Sequence, residues 1–265
     1  MMNFYWTSDL HLDILSSFDY ESFMSKLSSL GDKDSYLLVT GDTSTCKHVT
    51  RHHIDLANNF QGRLLYVLGN HDRWNSHFAE AHNRLVQCNI PKDAVFLDVV
   101  DHVKVDNSTC VVGDSGWYDA RNGHNSLDFA MYDWHCIEEY RGRNPIPISR
   151  SIADARASTV DHKLRDAASK GYKNIVFLTH IPPYVECCRH NGQDSDQEAL
   201  AWFSSKIMGD TVDSFAKDHP DVKIEILCGH THSGFSYRRS ENVQVTVSSN
   251  DYYDPEVQPW KPSLW

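Results

Sequence analysis

Five short apolar runs in this chain each stop on the same small set of residues, and that pattern constrains the fold more than any other feature. Asn3–Ser8 is followed by Asp9-Leu10-His11, Tyr36–Thr40 by Gly41-Asp42, Leu64–Leu68 by Gly69-Asn70-His71-Asp72, Asn174–Thr179 by His180, and Lys223–Cys228 by Gly229-His230-Thr231-His232. Short runs rich in β-branched and aromatic types, without polar alternation, read as strands buried on both faces. Between them Asp19–Leu30, Ser44–Phe60, Asn75–Gln87, Ser151–Ser169 and Ser195–Lys217 read as helices, the last opened by a capping box from Ser195 to Glu198. The alternation predicts a layered α/β protein. In open α/β sheets ligands bind outside the carboxyl ends of the strands, so residues spread from 9 to 232 are expected to converge there.

Two stretches break the alternation. Ala94–Gly113 and Ser233–Ser248 read as consecutive antiparallel strands, which implies a second sheet. The region at about 117–150, aromatic and arginine-rich without periodicity, reads as an inserted loop or cap. The tail at about 250–265, with three prolines and two tryptophans after Tyr252, reads as an extended strap over the body. The expected organisation is one domain over residues 1–265.

The residues at the strand ends share one chemistry. Carboxylate oxygen and imidazole nitrogen are the donors that manganese, iron, zinc and nickel accept. Asp9 with His11, and His230 with His232, are spaced so that both side chains can leave a strand on one side. A lone histidine, or Asp-x-His alone, is usually an ordinary surface or core feature. Five blocks in order, each at a strand end, favour a metal site strongly over that reading. Gly113-Asp114-Ser115-Gly116 matches the string around a serine-protease nucleophile, but without a two-barrel pattern it reads as a turn into the insert.

The ordered set DxH, GD, GNHD, H and GHTH resembles the calcineurin-like metallophosphoesterase superfamily. The resemblance implies a four-layer αββα sandwich, two mixed β-sheets face to face with helices outside. It implies two divalent metal ions, manganese first among those named, about 3.5 Å apart. Asp9, His11, Asp42 and His232 would hold one, and Asp42, Asn70, His180 and His230 the other. Their activity would be hydrolysis of a phosphoester by a water acidified between the two cations. His71 would protonate the leaving oxygen and Asp72 would orient its imidazole. Protein Ser/Thr phosphatases of the superfamily carry DxHG and GNHE, where this chain has Asp9-Leu10-His11-Leu12 and GNHD, so the phosphodiesterase side is favoured over monoester hydrolysis. A non-catalytic scaffold, the reading from another class, usually shows lost ligands, and none is lost here.

Charge and cysteine content narrow the partners. With 36 acidic against 25 basic side chains the net charge is −11, which argues against a broad nucleic-acid face. Two divalent cations against Asp9 and Asp42 would reverse that sign locally, so a small phosphoester, nucleotide-like among others, suits the site. Arg73, Trp74, Trp117, Tyr118 and Arg121, with Asn70, are the candidate substrate contacts, although packing of the insert explains the aromatics as well. Seven cysteines without CxxC spacing, no signal-like N-terminus and no long apolar segment predict a cytoplasmic protein.

Overall fold

A computed structural model describes residues 3–91, 93–124, 127, 129–190 and 192–264. Asn125, Ser126 and Asp128 of the expected insert, and Trp265 of the expected strap, lie outside the described residues, as do Met1, Met2, Lys92 and Asn191. The strands are β1 Phe4–Thr7, β2 Tyr36–Thr40, β3 Arg63–Val67, β4 Ala94–Phe96, β5 Val103–Lys104, β6 Thr109–Gly113, β7 Asn174–Leu178, β8 Arg189–His190, β9 Gln193–Asp194, β10 Lys223–Cys228, β11 Phe235–Arg238, β12 Val243–Val247 and β13 Gln258–Trp260. The helices are α1 Ser17–Ser28, α2 Val49–Asn59, α3 Glu80–Gln87, α4 Asp133–Cys136, α5 Pro145–Ser169, α6 Gln197–Phe203 and α7 Lys206–Asp218.

The strands form two mixed sheets of order β13-β1-β2-β3-β4 and β11-β12-β10-β7-β6-β5, and a small β8-β9 hairpin. Within the large sheets β1 to β4 are parallel, as are β6, β7, β10 and β12, while the edge strands β13, β11 and β5 run antiparallel. Side-chain alternation explains why the central strands read as continuous apolar runs. In β2, Leu37 and Val39 face a core shared with Phe23, Leu27 and Leu56 of α1 and α2, whereas Leu38 faces Val111, Val176 and Leu227 of the opposite sheet. The outer face of the second sheet buries Ile175, Phe177 and Ile226 against Val160, Leu164 and Phe215 of α5 and α7. These three cores make the four layers. Among the described residues no helix is long and apolar enough to cross a membrane, and every cysteine is a free thiol.

Several boundaries differ from expectation, each for a local reason. β4 joins β3 in the first sheet and β6 lies parallel to β7, so only β5 and β6 of the expected antiparallel run pair that way. The segment 195–217 is two helices, because the Ser205 amide donates to the Pro182 carbonyl and Ser204 and Ser205 are extended. Its N-cap is Asp196, accepting from the Ala199 amide, not Ser195. α5 starts six residues before Ser151, where Asn144 caps it and Pro145 takes the first position. The segment 44–48 stays outside α2 because carboxylates of Asp72 and Asp13 accept the amides of Ser44 and Thr45. In the tail, β13 adds to the edge of β1, with the Trp260 ring against Phe4 at 5.6 Å.

His53 on α2 is fully buried, donates Nδ1–H to the Val49 carbonyl and lies 4.2 Å from the Tyr66 ring centre. Burial pushes its imidazole down to about 4. The unfolded chain, with an ordinary histidine near 6.5, takes up the proton first as pH falls. This contribution to stability is therefore complete above pH about 6.5 and is lost on acidification through pH about 4, to a ceiling of roughly 3 kcal/mol. Urea unfolding at stepped pH should show that slope flattened in His53→Phe; an unchanged slope refutes the assignment.

Candidate metal centre and active site

The five motif loops meet at the carboxyl ends of β1, β2, β3, β7 and β10, and their backbones are strained there. Asp9, His11, Asp42, His230 and His232 all adopt positive φ, between 42° and 73°. Non-glycine residues seldom do so, and such strain persists only where surrounding structure enforces it. The enforcing contacts are the loops themselves. The amides of Asp9 and His11 donate to the carbonyls of Gly41 and Asp42, the His230 amide to Asp9 Oδ1, and the His71 amide to Asp42 Oδ1. A Cβ on Gly69 would collide with the Asp42 carboxylate, and one on Gly229 with Asp9 and Ser8, so both glycines permit this close approach.

Among the described residues three sets of donor atoms lie within 4.8 Å of one another: Asp9, His11 and His232; Asp9, Asp42 and His180; and His11, Asp42 and His71. Asn70 Oδ1 lies 3.0 Å from both His180 Nε2 and His230 Nδ1. The outer ring nitrogens are tied back to the protein. His180 Nδ1 donates to the Thr40 carbonyl, His230 Nε2 to that of Trp202, and His232 Nδ1 to that of Asn250. Each ring therefore turns its other nitrogen inward, the arrangement that orients metal-ligating histidines. The inward atoms Asp9 Oδ2, Asp42 Oδ2 and His11 Nε2 are buried without a hydrogen-bond partner in the protein. Two buried carboxylates, one of them with the His180 imidazole 3.3 Å from its Oδ2, call for positive charge, and the donor set fits divalent cations.

Electrostatics among the protein groups alone agree. Burial works against charge on Asp42, yet the imidazoles of His180 and His71 hold its carboxyl well below the usual range. Burial also opposes the His180 imidazolium, but Asp42 prevails and raises it to about 9. Burial pushes His230 down to about 4, with the His180 charge adding to it, and lowers His11 as well.

A family model described as calcineurin-like phosphoesterase matches residues 2–234. The chain belongs to the calcineurin-like phosphoesterase family. Its fold is similar to that of phosphopantetheinyl hydrolase from Mycobacterium tuberculosis, with a TM-score of 0.71 at 16% identity over 95% of this chain and 90% of that one. It is also similar to a dimetal phosphatase from Danio rerio, TM-score 0.57 at 12% identity over 93% and 86% of the respective chains. No curated protein matches the chain in sequence. Family membership makes this phosphoesterase a hydrolase, and its donor clusters are candidate metal-binding groups.

Around the phosphoesterase site the structure separates the expected contacts. His71 and Trp74 line the cavity, their rings stacked at 3.5 Å, with His71 Nε2 3.8 Å from Asp42 Oδ2. Asp72 does not reach the His71 imidazole; its carboxylate accepts the amides of Ser44 and Gly69 and so clamps the second and third loops together. Arg73 is fully buried, donates to the Phe78 carbonyl and lies 4.1 Å from the Phe78 ring centre, so it offers no phosphate fork. Trp117 is buried and donates to Tyr140, Tyr118 donates to Asp133, and Arg121 pairs with Asp119 and Asp154. None of these four lines the cavity; the insert aromatics pack a fourth core with Trp202 and Ile181. Ser115 Oγ donates to Asp98 and accepts from the Leu68 amide, a turn brace.

Tyr252 and Asp133 touch the donor residues although no motif marks them. Tyr252 stacks on His11 and His232 at 4.4 and 4.7 Å, its hydroxyl 3.5 Å from His71 Nε2. Asp133, buried at the start of α4, accepts from Asn70 Nδ2, Trp74 Nε1 and the Tyr118 hydroxyl. It thereby fixes the Asn70 amide so that Oδ1 faces His180 and His230. No local signal marks an aspartate in an aperiodic insert as that anchor. Asp133→Ala should weaken metal affinity by about 10- to 100-fold, read by competition against a chelator. Unchanged affinity in a folded variant would refute the anchoring role.

Proposed function

We propose that this phosphoesterase is a binuclear metal-dependent enzyme that cleaves phosphodiesters ahead of monoesters. The observation that carries the reading is the set of buried, partnerless inward atoms on Asp9, His11 and Asp42, beside the rings of His180, His230 and His232, whose outer nitrogens are tied to backbone carbonyls. Asp9, His11, Asp42 and His232 would hold one cation, and Asp42, Asn70, His180 and His230 the other, with manganese the first candidate. When bound, such a pair supplies Lewis acidity toward phosphoryl oxygens and brings the ionisation of water near neutral pH.

The chain's own residues supply the rest. Asp42, within reach of both donor sets, keeps the halves of the site in register. His71 sits at the cavity edge, held by the Trp74 stack, where Nε2 can give a proton to the departing ester oxygen. A cavity of about 300 Å³ opens beside the donors and leaves room for a second ester arm, which supports the diester preference. The test is turnover of bis-p-nitrophenyl phosphate against p-nitrophenyl phosphate with manganese. The diester is expected to be the better substrate; a strong preference for the monoester overturns the ranking.

A further inference from the structure

The cavity has two unlike walls. Adjoining the donor cluster, with Trp74 stacked on His71 and Phe203 edge-on to His230, is an aromatic wall of Trp74, Phe129, Met131, Tyr132 and Phe203. Phe129 meets Phe203 edge-on at 5.8 Å, and Trp74 lies tilted to Tyr132 at 6.2 Å. The Trp74 indole N–H is already engaged by Asp133, so this wall offers ring faces, a thioether and the hydroxyl of the exposed Tyr132. Among the described residues no lysine or arginine lines the cavity. The sequence from 122 to 133, which supplies Phe129, Met131 and Tyr132, contains no lysine or arginine at all. Arg73 is buried against Phe78, Arg121 is held by two aspartates, and Arg189 lies over the Phe235 ring. Among the described lining residues the carboxylates outside the motifs are Asp133, beside Trp74, and Asp251, 3.5 Å from His232, and the one imidazole outside the motifs is that of His190.

These walls select by charge. A phosphate lodged against the aromatic wall would meet mainly ring faces, with no ammonium or guanidinium fork among the described lining residues to compensate its desolvation. An uncharged ring or alkyl group in the same place would displace water from apolar surface. The volume is at the small end for ligand sites, enough for a phosphoryl group and one ring-sized neighbour.

We propose that the site takes a phosphodiester with a single anionic phosphorus centre and an uncharged aromatic or apolar ester arm against this wall, and that it rejects substrates carrying a second phosphate. The inference rests on the phosphodiesterase reading above. In the reaction, water supplies the new P–O bond, the bond to the departing ester oxygen breaks, and that oxygen leaves with a proton as the alcohol or phenol. The aromatic arm remains on the monoester product.

The experiment uses the full chain loaded with manganese and pairs of substrates sharing a p-nitrophenolate leaving group. Phenyl p-nitrophenyl phosphate should exceed methyl p-nitrophenyl phosphate in kcat/KM by about tenfold or more, and Phe203→Ala should shrink that ratio. The p-nitrophenyl ester of a nucleoside monophosphate should be turned over about tenfold faster than the same ester with one more phosphate on the sugar. Tyr132 is 71% exposed, so Tyr132→Lys leaves the core alone and should recover part of that loss. Equal rates for phenyl and methyl esters, or full activity on the doubly phosphorylated ester, overturn the inference while the phosphodiesterase reading stands. No turnover of any ester overturns that reading and the inference with it.

Discussion

Asp42→Ala should empty both cation positions and lower kcat/KM by about 10⁴-fold or more, on the order of 5 kcal/mol of transition-state stabilisation. Asp42 belongs to two of the three donor sets, one with Asp9 and His180 and one with His11 and His71. Its Oδ1 accepts the His71 amide at 2.8 Å, and its Oδ2 lies 3.3 Å from His180 Nε2. Removing the carboxylate therefore takes a donor from each half and releases the loop that carries His71. Elemental analysis after gel filtration is the direct measurement, with two cations per chain expected in the parent and fewer than one in the variant. Retention of both would show that Asp42 is no shared ligand.

For His71→Ala the expected signature is different: turnover falls by about 10²- to 10⁴-fold while both cations remain. The ring lies at the cavity edge between Trp74 and Tyr252, outside the three histidines whose outer nitrogens are tied to backbone carbonyls. A residue that protonates the leaving oxygen matters most when that oxygen leaves poorly. The loss should therefore be larger for alkyl than for p-nitrophenyl leaving groups. Its Nε2 is also near His11 and Asp42, so metal content has to be measured alongside. A lost cation would make His71 a ligand, and an equal loss for both leaving groups would exclude it as the acid.

Much of this architecture was legible because it depends on local pattern. Tyr36–Thr40 and Lys223–Cys228 are strands with the expected bounds, buried on both faces as their unbroken apolar composition requires. Where partner choice decided the outcome, pattern was insufficient. Ala94–Phe96 and Thr109–Gly113 look alike in sequence yet joined different sheets, because sheet membership depends on distant edges. The break at Ser204 and Ser205 follows from a hydrogen bond to Pro182, which no helical periodicity reveals. Arg73 and Asp72 differ from expectation for a related reason. Beside a histidine both look functional, but their side chains turn inward, one beneath aromatic rings and the other between two loops.

By itself the sequence determined which donors exist and that they end the strands β1, β2, β3, β7 and β10, since strand formation and ligand chemistry are properties of short segments. Only the tertiary structure decided how those donors are held. The left-handed backbone at five of them is imposed by neighbouring loops. The Asn70 amide takes its orientation from Asp133, 63 residues away. The wall that would choose among phosphoesters is assembled from Trp74, the 129–132 segment and Phe203. Such contacts join groups remote along the chain, and close packing of the whole fold, not local preference, brings them within reach.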